Sequence, residues 1–195
     1  MPDTQSTTEQ PQSGAPMLGD HLAMDLLNTE ARADGQLVEF WTNDQDLLLW
    51  LARYGISQTA TATPADLLSQ AKALRALAHQ LISQFRAGQP VDYRLLNPYL
   101  QAHSTVPYLE QDAEGTLRLS RQSTANSSGA LLGPVAEAVA QLLVEGNAAL
   151  VKQCEHPDCI LWFYDRTKAH KRRWCSMALC GNRHKAAQFR TRSGG

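Results

Sequence analysis

The chain has 195 residues, of which 43% are hydrophobic and 19% are charged. This length and composition allow one substantial hydrophobic core with a small additional module. No run of about 18 apolar residues occurs, so we expect no membrane-spanning segment and no membrane partner. The net charge of −1 combines two unlike halves: residues 1–151 carry 8 Lys and Arg against 16 Asp and Glu, whereas residues 152–195 carry 10 against 3. A basic end of this kind favours a polyanionic partner.

The chain begins with a polar segment. Residues 1–16 are rich in Thr, Gln, Ser and Pro and predict a disordered tail, because they hold too little apolar surface to offset the cost of ordering. From Asp20 an apolar segment predicts a short helix that ends near Thr29. After an extended stretch over residues 37–41, a second helix is expected to end at Gly55.

Three more helical segments follow. The clearest begins at Thr63 and ends at Gly88, because apolar residues recur there every three or four positions. Those positions are Leu67, Ala71, Leu74, Ala78, Leu81 and Phe85. Residues 92–103 also have a helical pattern, which Pro98 must kink or restart. Residues 134–146 predict the last helix of this half.

A β-hairpin is predicted between these helices. Residues 106–110 and 116–120 alternate between apolar and polar side chains and are joined by a turn with Gly115. A two-stranded hairpin is not stable alone, so we expect it to lie on the helices. The Ser-, Asn- and Gly-rich residues 123–129 then predict a loop.

The second half holds all four cysteines in two C-x4-C pairs separated by 15 residues. Four thiolates within so short a span favour tetrahedral, closed, structural zinc. The expected ligands are Cys154, Cys159, Cys175 and Cys180. Two disulfides are an alternative that requires an oxidising compartment, but the chain starts without the pattern of a signal peptide, and we expect a cytoplasmic protein. An iron–sulfur cluster is a further alternative that the spacings do not exclude.

The order of elements between the cysteines predicts a treble-clef-like module. Residues 160–164 form a compact aromatic strand, a polar turn follows, and the second cysteine pair opens a helix, with Cys180 in its first turn. At that position free N–H groups and the helix dipole favour a thiolate. We expect the metal site to be lined by Trp162, Phe163 and Trp174.

Basic residues crowd this module and are the candidates for nucleic-acid binding. They are Arg166, Lys168, Lys171, Arg172, Arg173, Arg183, Lys185, Arg190 and Arg192. At about 100° per residue, Arg183 and Arg190 share one side of the helix whereas Lys185 and Arg192 lie nearly opposite. Because no single basic stripe results, phosphate contacts are expected rather than base reading. DNA is the expected partner; RNA, through stacking on aromatic residues, and an acidic protein surface, including the chain's own acidic half, are alternatives.

The run Cys180-Gly181-Asn182-Arg183 resembles the CGNR zinc-finger family, and residues 154–159 fit the same family. Residues 25–29 and 46–51 resemble the ABATE domain that precedes this finger. The resemblance implies a bacterial, stress-related transcription regulator. It divides the chain into a tail (1–16), a mixed helix and strand domain (17–150) and a zinc finger (151–195). The fold class is therefore α+β, with a mainly helical N-terminal domain, a β-hairpin and a C-terminal zinc module.

The role of the N-terminal domain is expected to be effector sensing or association, including formation of a homodimer. Asp25, Asn28 and Thr29 are polar residues beside apolar neighbours and could line a small-molecule effector pocket. Hydrogen bonds at a helix end are the alternative use of these side chains. No enzyme is expected, because H-E-x-x-H, P-loop and G-x-S-x-G patterns do not occur and four cysteine ligands leave zinc no open position.

Overall fold

The computed structural model describes residues 14–33, 35–58, 62–123 and 127–193. The helices are α1 (Leu22–Leu27), α2 (Asp44–Ala52), α3 (Leu67–Arg86), α4 (Asn97–Ala102), α5 (Ser128–Glu145) and α6 (Asn182–Ser193). The strands are β1 (Glu30–Ala33), β2 (Gln36–Glu39), β3 (Thr105–Gln111), β4 (Leu117–Ser123), β5 (Val151–Gln153) and β6 (Trp162–Tyr164). Short 3₁₀ turns lie at Tyr93–Leu95 and Ala148–Leu150, and a π-helical turn lies at Met177–Gly181. Most of the predicted tail falls outside the described residues, but Ala15 is buried and its carbonyl accepts a hydrogen bond from Arg53.

The core is helical, and the short helix α1 lies at its centre. This helix packs against α3, α5 and β6, so it contacts both halves of the chain. Its residues from Ala23 to Leu27 are all buried. The apolar stripe predicted along α3 is buried from Leu67 to Leu81, as the helical spacing requires. Burial of these stripes against one another is what stabilises the N-terminal domain.

Two helix boundaries differ from the sequence prediction. Helix α5 begins at Ser128, six residues before the predicted start, because the Ser127 hydroxyl accepts the N–H of Ala130 and caps the helix. Pro134 therefore lies inside the helix, and the predicted loop over 123–129 is shorter. Helix α3 begins at Leu67 rather than Thr63, and the carboxylate just before it, Asp66, accepts a hydrogen bond from Ser128.

Strands β1 and β2 form an antiparallel hairpin, of which the sequence predicted only the second strand. Arg75 on α3 ties this hairpin to the helical core. Its guanidinium donates to Glu39 at 2.9 Å and to Glu30 at 3.0 Å, and it lies 5.3 Å from the ring centroid of Trp41. The arrangement fixes the chain just after α1.

Strands β3 and β4 form the predicted hairpin, with Leu109 opposite Leu119. The expectation that it lies on the helices is wrong. No residue from Thr105 to Arg121 is buried, and large apolar side chains remain exposed on both faces. Only two residues separate α4 from β3, and each hairpin strand packs mainly against the other.

The C-terminal part joins β5 and β6 as an antiparallel pair that packs on α1. The predicted fold class is confirmed: a mainly helical N-terminal region with a hairpin is followed by a small region in which the four cysteines cluster. None of the helices in the described ranges combines the length and apolar character of a membrane span.

Candidate metal centre and basic surface

The four cysteine sulfur atoms form one compact cluster. All four Sγ atoms lie within 4.8 Å of one another, with 3.8 Å between Cys159 and Cys175 and 3.5 Å between Cys175 and Cys180. A tetrahedral zinc site with Zn–S bonds of about 2.3 Å has sulfur atoms about 3.8 Å apart. Disulfide sulfurs would be about 2.05 Å apart, and the four cysteines are free thiols. The cluster therefore fits a four-coordinate metal ion.

Local backbone structure holds each thiol in place. Cys154 follows β5 and its N–H donates to Leu161 O, while the N–H of Cys159 donates to His156 O. The sequence predicted that Cys180 lies in the first turn of an α-helix. In the structure it lies in the π-helical turn before α6. The Ser176 hydroxyl caps this turn by accepting the N–H of Leu179, and the Cys180 N–H donates to Ser176 O.

The residues after Cys180 support the thiol cluster through close packing at Gly181 and a hydrogen bond from Arg183. A Cβ at Gly181 would lie 2.7 Å from Met177 Sδ and 3.3 Å from Trp174 Cδ1, so a larger residue would force these side chains to move. Arg183 donates from Nη2 to Cys180 Sγ at 3.2 Å, and this hydrogen bond raises the pKa of Arg183. A cation bonded to a ligand thiolate offsets part of its negative charge and fixes its orientation.

The thiols also interact with one another. Hydrogen bonds from Cys159 and then Cys175 lower the pKa of the Cys154 thiol, whereas the hydrogen bond with Cys154 raises the pKa of Cys159 and of Cys175. All four sulfurs can be thiolates only when a cation such as a metal ion lies among them. His156, the one histidine inside the first cysteine pair, lies outside the cluster of ligand atoms. Its Nδ1 accepts the N–H of Asp158 at 3.2 Å. The donor set is four sulfurs.

Comparison with known families follows the same division. A family model described as ABATE, "Putative stress-induced transcription regulator", matches residues 20–146, more than half of the chain. The chain belongs to the ABATE family. A second model, the CGNR zinc finger, matches residues 151–193. Both resemblances and their order are confirmed. A search of curated proteins gave no match.

Arg172 joins the CGNR finger to the ABATE domain. Its guanidinium donates to Leu18 O at 2.9 Å, to Cys175 O at 2.6 Å and to Trp174 O at 3.0 Å, and it forms an ion pair with Asp20. The group also lies 4.2 Å from the ring centroid of Phe163. Only 18% of this side chain is exposed. Arg172 is thus a structural bridge, although the sequence grouped it with the nucleic-acid-binding cations.

A buried ion pair stabilises the turn beside Arg172. Asp165 is fully buried and accepts hydrogen bonds from Lys152 Nζ at 2.6 Å, Thr167 Oγ1 at 2.6 Å and the Arg172 N–H at 2.9 Å. Burial alone would raise the pKa of Asp165, but the hydrogen bonds from Lys152 and Thr167 outweigh it and hold the pKa well below its usual range. The turn that carries Lys168 and Lys171 is therefore rigidly anchored.

The interface between the domains resembles a protein core. Asn28 donates from Nδ2 to Trp162 O at 2.9 Å and accepts the Trp162 N–H at 2.8 Å, so it continues the edge of β6. The Trp162 ring lies 5.6 Å from the His79 ring and 5.3 Å from the Arg86 guanidinium, both measured between centres. Leu18 packs against the thiol cluster itself. The CGNR finger is docked on α1 and α3 and does not hang on a linker.

The predicted effector residues all lie at or near this interface. Asp25 accepts the Gly19 N–H at 2.8 Å, and its burial raises its pKa. The Thr29 hydroxyl donates to Leu26 O and accepts from Arg75, while Asn28 is paired with Trp162. Asp25 is 4% exposed, and Asn28 and Thr29 are fully buried. Their hydrogen bonds hold the two domains and the end of α1 together.

The remaining basic residues differ in their exposure and in their contacts. Lys168, Lys171, Lys185 and Arg190 are exposed. Arg173 is also exposed and pairs with Glu155 at 2.6 Å. Arg166 lies over the Tyr164 ring at 6.0 Å. The side chain of Arg192 falls outside what the structure describes.

Two of the exposed cations, Lys171 and Arg173, line an open cleft. It has a volume of about 430 Å³ and is lined in part by Thr167, Lys171, Arg173 and Trp174. The Trp174 ring lies 5.0 Å from the Arg173 guanidinium and 4.7 Å from the His184 ring, whereas Trp162 is buried at 6% exposure. Charge and an aromatic face thus meet beside the metal cluster.

The sequence did not reveal the structural roles of Arg172, Lys152 and Asn28. Trp162, which pairs with the Asn28 side chain, and the N-terminal partners of Arg172 lie far away in the chain, at separations of 134 to 154 residues. Composition and spacing carry no signal for such contacts. The closeness of Arg183 to Cys180 was the one local signal that could have suggested a bond to a ligand.

Proposed function

We propose that the protein is a DNA-binding transcription regulator whose CGNR finger is stabilised by one structural zinc ion and contacts phosphates. The observation that carries the proposal is a set of exposed cations on the turn beside the thiol cluster and on helix α6, which follows it. We name it the basic surface, and its members are Lys168, Lys171, Arg173, Lys185 and Arg190. A regulator of this kind would act in the cytoplasm of a bacterium.

The charge on this part of the chain supports a polyanionic partner. Of the three acidic residues after residue 151, Asp165 is fully buried against Lys152, so only Glu155 and Asp158 remain at the surface. The four thiolates and zinc carry a net charge of about −2, and Arg183 offsets part of it. Arg173 pairs with Glu155, whereas the other four cations of the basic surface form no ion pair within the described part of the chain and are free to bind phosphates.

The affinity for DNA should depend steeply on salt. If the five cations of the basic surface each engage one phosphate, log K falls with log salt at a slope of about −4.5. The measurement is fluorescence anisotropy of a labelled duplex titrated with the full-length, zinc-loaded chain at several salt concentrations. The full chain is needed because the finger is docked on the ABATE domain through Trp162 and Arg172.

Single substitutions test whether individual cations contribute to DNA binding. Lys171→Ala and Lys185→Ala should each weaken binding and reduce the salt slope by about 1. Arg94→Ala is the matched control, because it removes one positive charge from the ABATE domain at a side chain that is 81% exposed. Binding that is independent of salt, or an equal effect of Arg94→Ala, would contradict the proposal.

Zinc is tested separately. Metal analysis of the purified protein should give one zinc per chain, and chelation should expose four reactive thiols. Iron in place of zinc would contradict the metal assignment and leave the phosphate-binding surface to be judged by the anisotropy experiment. Because all four positions are filled by cysteine, we propose no catalytic role for the metal.

A protein partner is the second candidate. Met177, Leu179 and Phe189 lie close in sequence to the cations and are 52%, 53% and 72% exposed. Apolar side chains next to basic ones suit an acidic amphipathic segment. If no duplex or single-stranded nucleic acid binds at low salt while an acidic protein does, this alternative replaces DNA binding. The chain's own acidic half leaves the basic surface exposed.

An effector site in the ABATE domain remains a proposal. The cleft of about 480 Å³ between α1, β1 and α3, lined by Glu30, Lys72, Arg75 and His79, offers more room than the buried Asp25, Asn28 and Thr29. Lys72→Ala should abolish a ligand-induced shift in Tm if an effector binds there.

A further inference from the structure

Helix α6 lies outside the helical core and packs mainly against the π-helical turn that carries Cys180. Every residue from Lys185 to Arg190 is exposed. A helix of 12 residues is marginal in water unless one side of it packs against something else. A partner that packs against α6 would therefore stabilise it, and the side chains of the helix indicate the chemistry of that partner.

One side of α6 points away from the finger. The His184 ring lies 4.7 Å from the Trp174 ring between centroids, and Gln188 Nε2 lies 2.9 Å from His184 Nε2. His184 and Gln188 therefore mark the side that is turned toward the finger. At about 100° per residue, the opposite side holds Ala186 and Phe189. Both residues are exposed, and Phe189 is 72% exposed.

Two cations border this outward side. Lys185 and Arg190 are five residues apart, which places them about 140° apart around the helix, with Ala186 and Phe189 between them. We call these four residues the groove face. Residues 166–195 contain no acidic residue, so no negative side chain of this segment opposes the two cations. A face with cations along both edges and apolar groups between them complements a surface that has anions along both edges.

The major groove of duplex DNA is such a surface. It is about 12 Å wide between two rows of phosphates, and a helix with its side chains is about 10–12 Å across. Its floor presents thymine methyl groups, which Ala and Phe side chains contact, and adenine edges, which suit the exposed amide of Asn182 on the same side of α6. We propose that α6 enters the major groove, with Lys185 and Arg190 on the two phosphate rows and Phe189 against thymine methyl groups.

This inference rests on the proposed binding of DNA and adds a preference for duplexes that contain A·T pairs. It also accounts for the cations on two sides of α6, because a helix in a groove meets phosphates on both sides, whereas a helix lying across one strand needs only one basic stripe. Duplex RNA should bind weakly, since its major groove is too deep and narrow for side chains to read and uracil has no methyl group.

Fluorescence anisotropy of two labelled duplexes tests the inference on the full-length, zinc-loaded chain. One duplex has an alternating A·T sequence, and the other has uracil in place of every thymine, so the phosphates are the same and only the methyl groups are missing. The wild type should bind the thymine duplex about 4-fold more tightly, which is the effect of burying one methyl group. Phe189→Ala should bind the two duplexes equally. The salt slope should be the same for both duplexes, because the methyl group carries no charge.

Two further variants serve as controls. Val144→Ala removes an apolar side chain that is 83% exposed on α5 and should keep the wild-type preference for thymine. Lys185→Ala should weaken binding to both duplexes by the same factor, because it removes a phosphate contact that does not depend on the base. Far-UV circular dichroism and zinc content verify that each variant is folded.

The outcomes separate this inference from the proposed function. Salt-dependent binding of both duplexes with equal affinity by the wild type would overturn the thymine contact and leave DNA binding in place. A thymine preference that persists in Phe189→Ala would show that another residue reads the methyl group. Duplex RNA bound as tightly as the thymine duplex would overturn the placement of α6 in the major groove. Binding to none of these duplexes would overturn the proposed function as well.

Discussion

Removing the Asn28 side chain should weaken the interaction between the ABATE domain and the CGNR finger. Asn28→Ala deletes both hydrogen bonds to Trp162 and leaves a backbone N–H and a carbonyl of β6 without partners in a buried site. Each buried polar group left unsatisfied costs about 1–3 kcal/mol. With partial access of water to the opened site, the free energy of unfolding should fall by about 3 kcal/mol.

Urea unfolding of the zinc-loaded full-length chain measures this loss. Tryptophan fluorescence follows Trp162 and Trp174 in the finger together with Trp41 and Trp50 in the helical core, and far-UV circular dichroism follows the helices. In the wild type the two transitions should coincide, whereas in Asn28→Ala the fluorescence change should come first. Asn97→Ala, a half-buried asparagine in α4, is the matched control. A loss below about 1 kcal/mol, no greater than that of Asn97→Ala, would refute a core-like interface.

Two further predictions concern the finger. Arg183→Ala should weaken zinc affinity by about 10- to 100-fold in a chelator competition, because it removes the donor to Cys180, whereas Arg190→Ala should lower only DNA affinity. If both variants bind zinc equally, the bond has no supporting role. Asp165→Asn should cost about 3 kcal/mol at pH 7 by breaking the buried pair with Lys152. Because the pKa of Asp165 is depressed in the folded state, its contribution is present above the unfolded pKa, about 3.9, and is lost as pH falls below that value. Acid titrations of unfolding should therefore show a shallower decline for the variant, and identical curves would contradict this.

The metal cluster could be predicted from the sequence because its determinants are local. Two C-x4-C pairs in 27 residues already restrict where four sulfurs can lie, and the structure gathers them within 4.8 Å. Helix α3 could also be predicted, since its buried residues recur every three or four positions. The start of α5 was predicted wrongly, because Pro134 is a stronger signal for a helix start in the sequence than the cap that Ser127 provides.

The roles of the cations could not be predicted, because a positive charge in the sequence does not reveal its partner. Arg172 and Lys171 are adjacent in sequence and have the same charge. In the structure Arg172 binds Leu18 and Cys175 carbonyls, whereas Lys171 is exposed. The predicted position of the β3–β4 hairpin was wrong for a related reason: a two-stranded hairpin generally needs something to pack against, but a single sequence does not say whether the helices of the same chain provide it.

The rigid docking of the finger has a consequence for DNA binding. Helix α5 ends at Glu145, and the chain reaches β5 at Val151 through one 3₁₀ turn, so little free chain separates the two domains. Asn28 and Arg172 then fix the orientation of the finger on α1. The basic surface is therefore presented in one orientation relative to the ABATE domain, so the two domains would approach DNA as one body.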